Sequence, residues 1–222
     1  MVSREQRSLT ERWQAFEQEQ KLKAHWYWRP GWRPGRSFYT WHLTFTGQAT
    51  LYELVQRVQE ALDRVPGLDL VPLDGLHLTM QGVGFADQVN CRDVDLIVAA
   101  ARARCAALPP VRIGLGPVDP DPEGVGLLVA PWEPVERVRL AVREAIGAVW
   151  SEIPEPVDGF RPHVTLAYSG ADAPAGPVRE ALRPLREVPP VEVVVGNVQL
   201  IELRRDDRVY RWDVAASVPL AG

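Results

Sequence analysis

Three of the four histidines in this 222-residue chain stand two positions before a threonine, at His42-Leu43-Thr44, His77-Leu78-Thr79 and His163-Val164-Thr165. With seven threonines in the chain, chance placement gives about 0.1 such triplets, so three require a cause. Each is interleaved with apolar residues: Trp41, Leu43 and Phe45 around the first, Leu76, Leu78 and Met80 around the second, Val164 and Leu166 around the third. A period of two is that of a β-strand, whose successive side chains point to opposite faces. A strand with one apolar face and one face bearing imidazole and hydroxyl fits a sheet whose core lies on one side only, which is how antiparallel sheets commonly pack. The pattern predicts antiparallel strands whose open faces carry chemistry.

The rest of the composition fits a folded domain. Apolar residues make up 46% and charged residues 24%, which excludes a disordered or fibrous chain. The net charge of −4, from 25 basic and 29 acidic residues, provides no global positive field, so any phosphate site has to be local. The start, MVSREQRSLTERW, lacks the apolar run of a signal peptide, and no stretch approaches the length of a membrane span. The expectation is a cytoplasmic protein with no membrane contact. Cys91 and Cys105 fall 14 residues apart in one expected helix, roughly 21 Å at 1.5 Å per residue, too far for a disulfide. Two cysteines and four histidines without a ligand spacing such as HExxH predict neither a metal nor a cofactor.

Along the chain, Ser8 to Lys23 reads as an amphipathic helix with Leu9, Trp13, Phe16 and Leu22 on its apolar face and Ser8 or Thr10 as its cap. An irregular loop over 25–37 follows, with WRPG at Trp28 to Gly31 repeated at Trp32 to Gly35. Next come a strand (Ser37 to Gly47), a helix (Leu51 to Val65), two strands (Leu68 to Val71 and Leu76 to Val83) and a helix (Arg92 to Leu108). The second half resembles the first: strands Val111 to Val118 and Val125 to Ala130, a helix Glu133 to Trp150, a strand His163 to Tyr168 and a short helix Pro177 to Leu185. Two closing strands, Val191 to Leu203 and Arg208 to Val218, flank a charged turn. This is α+β, divided into residues 1–36 (helix and WRPG loop) and 37–222 (one two-lobed domain).

An imidazole titrates near neutrality and a threonine hydroxyl donates to a phosphoryl oxygen, so two His-x-Thr strands facing one cleft would supply a base, an acid and two donors for in-line attack at phosphorus. LHLTMQGVGF (Leu76 to Phe85) and RPHVTLAY (Arg161 to Tyr168), 86 residues apart by their histidines, resemble the paired signatures of the two-histidine (2H) phosphoesterase superfamily, the bacterial 2′-5′ RNA ligase-like and 2′,3′-cyclic phosphodiesterase group. The resemblance implies two pseudo-symmetric lobes, each an antiparallel sheet flanked by helices, around a central cleft, with the N-terminal helix as an addition. It implies metal-independent cleavage of a 2′,3′-cyclic phosphate or 2′-5′ phosphodiester, on an RNA end or small cyclic nucleotide; the chain is expected to be a monomer. In it His77 and His163 are the acid/base pair, with Thr79 and Thr165 on the phosphate. By the same analogy His163 activates water and His77 protonates the leaving 3′ oxygen. A non-catalytic module that binds a phosphorylated nucleotide or RNA end is the competing expectation. Tyr168 stands where many relatives have arginine, and Gly82-Val83-Gly84 where they have Phe-Leu-Gly.

Other residues weigh toward structure. Accepting His42 in place of His77 would stretch the separation to 121 residues, so His42 is expected to be structural, with a cleft-lining or substrate-contacting role as its alternative. Arg161 is expected to share the face of His163, and Arg161 and Tyr168 are candidate substrate contacts. His25 is expected on the surface. Trp26 to Arg36 could stack bases and meet phosphates, but is expected to pack its tryptophans against the body. Arg204, Arg205 and Arg208 read as a solvated hairpin tip, and Val138 to Arg143 as an ordinary charged face.

Overall fold

In the computed structural model, which describes residues 2–221, the first helix begins where a serine can cap it. Ser3 accepts from the Gln6 amide at 3.1 Å, so α1 (Arg4–Gln18) starts ahead of the expected Ser8 or Thr10. Thr10 cannot serve, because its hydroxyl donates back to the Gln6 carbonyl inside the helix. Glu19 turns extended and stops the helix short of Lys23, and Leu9, Trp13 and Phe16 are buried, each worth roughly 2 kcal/mol of apolar burial. The Trp13 indole donates to the Val118 carbonyl, fastening α1 to the strand beneath it.

The remaining elements follow in the order β1 (Phe38–Thr44), α2 (Ala49–Leu62), β2 (Leu68–Leu70), β3 (His77–Phe85), α3 (Cys91–Cys105), β4 (Val111–Asp121), β5 (Gly124–Ala130), α4 (Glu133–Gly147), β6 (His163–Ser169), α5 (Gly176–Leu182), β7 (Val191–Val195), β8 (Asn197–Arg204) and β9 (Arg211–Pro219). They form two antiparallel sheets, ordered β3-β1-β8-β9 and β2-β6-β5-β4-β7. Each motif strand pairs with the strand that precedes its crossover: β3 with β1, and β6 with β5. The two sheets thus superimpose in order, β3-β1-β8-β9 on β6-β5-β4-β7, with β2 added beyond β6.

The lobes are not the two halves of the sequence. The expected single strand Val191 to Leu203 breaks at Gly196, and its parts belong to different sheets, β7 beside β4 and β8 beside β1. Apolar alternation runs on both sides of the break, so Gly196 is its only mark in the sequence. Likewise β2, from the first half, is the edge strand of the second sheet. The helices cross as well. α2 follows β1 of the first sheet but packs with α5 against β6 and β7 of the second. α4 follows β5 of the second sheet but packs with α3 against β3 of the first, as well as against β4.

Arg139 and Arg143 of α4 are buried, not the solvated face expected. Arg139 donates to the carbonyls of Met80, Pro156 and Val157, and Arg143 to the Glu155 carbonyl and the Gln81 side chain. These bonds tie the 154–157 loop to β3, because a buried guanidinium requires acceptors for its donors. Cys91 and Cys105 are free thiols, and no helix among the described residues is long and apolar enough to cross a membrane.

Candidate active site

The open faces of β3 and β6 meet in a cleft of about 570 Å³, to which His77, Thr79, His163 and Thr165 all contribute. Leu78, Met80, Val164 and Leu166 point the other way into the core, as the alternation requires. The two histidines are oriented alike. His77 Nδ1 donates to the carbonyl of Gly75 at 2.8 Å, and His163 Nδ1 to the carbonyl of Arg161 at 3.0 Å, in both cases two residues back. With Nδ1 occupied as a donor, the neutral ring keeps its lone pair on Nε2. Each imidazole can therefore take a proton on Nε2, or give one there once charged.

Burial holds the His77 pKa down to about 4, with the positive charge of His163 acting the same way against the Gly75 carbonyl. His163 is lowered too, by the enclosing walls and then by the Arg161 and Arg12 guanidinium groups, although its ring is open to the cleft. Both rest neutral at pH 7.

His42 lies beside them. The first two His-x-Thr triplets pair reciprocally across β1 and β3, His42 opposite Thr79 and Thr44 opposite His77. The His42 ring is fully buried and stacks on His77 with centroids 4.6 Å apart and planes within 4°. Its Nε2 meets the Thr79 hydroxyl at 3.3 Å, and burial drives its pKa far down. It is therefore a cleft-lining residue packed behind the motif. Thr44 instead donates to the Gln199 side chain.

Arg161 lines the cleft, paired with the buried Asp119, which also holds Arg12 of α1 at 2.9 Å. Tyr168 sits five residues beyond His163, an odd offset that on a regular strand faces the core. A β-bulge changes that: Val125 opposes Ala167 but Gly126 opposes Thr165, so Leu166 is inserted and Tyr168 comes round to the cleft.

Five cleft residues lie outside the expected set or contradict it. His25 is buried rather than superficial, stacked on Tyr168 at 4.1 Å, with Nε2 2.9 Å from the Tyr210 hydroxyl and Nδ1 3.1 Å from Glu123. Burial, then Arg29 and Arg205, push its pKa down to about 3. The 26–36 loop does reach the cleft, through Arg29 and Trp32. Arg205 is no solvated tip: it is 4% exposed and lines the cleft. Nothing local marks these residues, since each is brought in by contacts between distant segments. Glu155 also lines the cleft, at φ 62°, its carboxylate accepting from the Gly82 amide. Among the described residues no group of three or more His, Cys, Asp or Glu side chains is placed to hold a metal ion.

Two antiparallel sheets with a His-x-Thr strand from each on a shared cleft define the class of the two-histidine phosphoesterases. Residues 47–207 match the 2′-5′ RNA ligase superfamily, and the chain belongs to that family. Solved structures share the fold: TT0787 of Thermus thermophilus superimposes with TM-score 0.65 at 20% identity, over 83% of this chain and 98% of that one. E. coli LigT does so with TM-score 0.59 in its apo form at 16% identity, and 0.63 in complex with 3′-AMP at 15%, each over 84% of this chain and 99% of its own. No curated protein matches the chain by sequence.

Proposed function

We propose that this protein opens 2′,3′-cyclic phosphates, on an RNA end or a mononucleotide, to 2′-phosphates without a metal ion. The observation that carries the reading is the matched pair of imidazoles on one cleft, each tied through Nδ1 to the carbonyl two residues back and each with a threonine hydroxyl alongside. LigT has been crystallised with 3′-AMP, ATP and NADP+, which supports a nucleotide as the occupant.

In the proposed reaction His163 Nε2 takes a proton from water as the water oxygen attacks phosphorus. The bond from phosphorus to O3′ breaks, and O3′ takes the proton from Nε2 of protonated His77, leaving a 3′-hydroxyl and a 2′-phosphate. Thr79 and Thr165 donate to the non-bridging oxygens, where charge accumulates. For His77 to be the donor its pKa has to climb from about 4, and the bound phosphate anion acts in that direction. The Gly75 carbonyl accepting from Nδ1 stabilises the imidazolium further. Ligation of 2′-5′ ends would be the same step with a 5′-hydroxyl in place of water, P–O3′ again breaking and O3′ again taking the proton from His77.

The test is turnover of 2′,3′-cyclic mononucleotides in EDTA by the wild type and by His77→Ala and His163→Ala. Turnover lowered about 10²-fold or more by either substitution is expected, the scale of a general acid or base. Tight binding without turnover would instead favour a nucleotide-binding module.

A further inference from the structure

Every arginine on the cleft except Arg205 is neutralised by a carboxylate. Arg12 pairs with Asp119 and Asp121, Arg29 with Glu123, and Arg161 with Asp119. Arg205 has no carboxylate within ion-pair distance among the described residues. Its one protein hydrogen bond goes to the His25 carbonyl at 3.1 Å, and neighbouring Asp206 is turned to the Gly35 amide.

Rings surround it in place of anions. Trp26, Trp28, Trp32 and Tyr210 lie with centroids 5.6 to 6.0 Å from its guanidinium carbon. Three of these come from the segment that carries the WRPG repeat, which precedes the residues matched to the family. Cation–π attraction offsets part of the cost of withdrawing the charge from water, yet the guanidinium keeps donors that nothing fills. A mostly buried, unneutralised cation whose unfilled donors line a ligand cleft is a site prepared for an anion.

Its position indicates which anion. The Tyr210 ring lies 5.9 Å from the His77 ring and 5.9 Å from the Arg205 guanidinium carbon, so His77 and Arg205 are at most about 12 Å apart. Both therefore lie within reach of the two phosphates of one nucleoside. We propose that Arg205 binds a second phosphate, on the 5′ side of the ribose whose cyclic phosphate lies between His77 and His163. This rests on the cyclic phosphodiesterase reading for its orientation, and it makes substrates with a 5′ phosphate the preferred ones.

Calorimetry with a nucleoside 3′-monophosphate and the 3′,5′-bisphosphate of the same base tests the site without turnover. Wild type is expected to bind the bisphosphate about tenfold or more tightly, the worth of a charged hydrogen bond. Arg205→Met should bring the two affinities together, and Arg205→Lys should keep part of the difference. Equal affinities in wild type, a preference that survives Arg205→Met, or an equal loss for both ligands would each overturn the proposal. Arg205→Lys provides the folded comparison if the methionine variant is unstable. Turnover of a cyclic mononucleoside phosphate, its 5′-phosphorylated form and a dinucleotide ending in a cyclic phosphate separates a terminal phosphate from a chain phosphodiester as the source. A bisphosphate preference without turnover of any of the three would sink the phosphodiesterase reading and leave the anion site standing.

Discussion

The two motif strands are equivalent in order and in the carbonyls that aim their imidazoles, but their partner strands differ. Opposite Thr79 stands His42, and opposite Thr165 stands Gly126. In the first lobe an aromatic ring fills the space beside the motif and, with Tyr210 and Trp212, buries most of His77; in the second there is no side chain, and His163 remains open. One architecture therefore yields two different imidazoles, as a reaction needing one acid and one base requires.

The largest effect should separate the two histidines by pH. Both titrate below 6.5 in the free protein, so kcat/KM is expected to peak on the acid side of that value, while kcat shifts to higher pH once the phosphate anion is bound. Profiles of His77→Ala and His163→Ala, each down about 10²-fold or more, should lose opposite limbs; loss of the same limb in both would show that they do not divide the roles. Next is His42→Gly, which gives the first lobe the environment of the second. It should cost about 3 kcal/mol for the cavity and raise the His77 pKa toward 6.5, read by histidine NMR titration. An unmoved His77 would mean that His42 does not set its burial.

Acid stability tests the same asymmetry. Folded His77 titrates at about 4 and His25 at about 3, with His42 also far down, against about 6.5 when unfolded. The unfolded chain therefore takes up protons first as pH falls, so stability drops from pH 6.5 toward 3 and gains nothing from these groups above 6.5. Urea midpoints should show it, and His42→Phe should flatten the slope. The smallest effect is expected for Gly126→Ala. Its Cβ would meet the Val164 carbonyl at 2.8 Å, forcing the bulge to shift at a cost of about 1 to 3 kcal/mol, measured as a lowered Tm.

What the sequence reveals of all this is what depends on neighbours in the chain. The alternation in LHLTM and HVTLA needs only a period of two, so the cleft faces of His77, Thr79, His163 and Thr165 are legible. Tyr168 is not, because its face depends on a bulge fixed by pairing with Gly126 on another strand. His42 reads as a rival to His77 because register, which no triplet records, makes it the neighbour. Arg205 and His25 depend on contacts between the chain's beginning and its end, and Gly196 divides an unbroken apolar pattern between two sheets.

The crossed helices have a mechanical consequence. Since α2 backs the sheet it does not follow, and α4 packs on strands of both sheets, spreading the jaws would pull helices from their seats and lay bare apolar surface. Widening the cleft therefore carries the cost of exposing packed apolar surface on both of its sides.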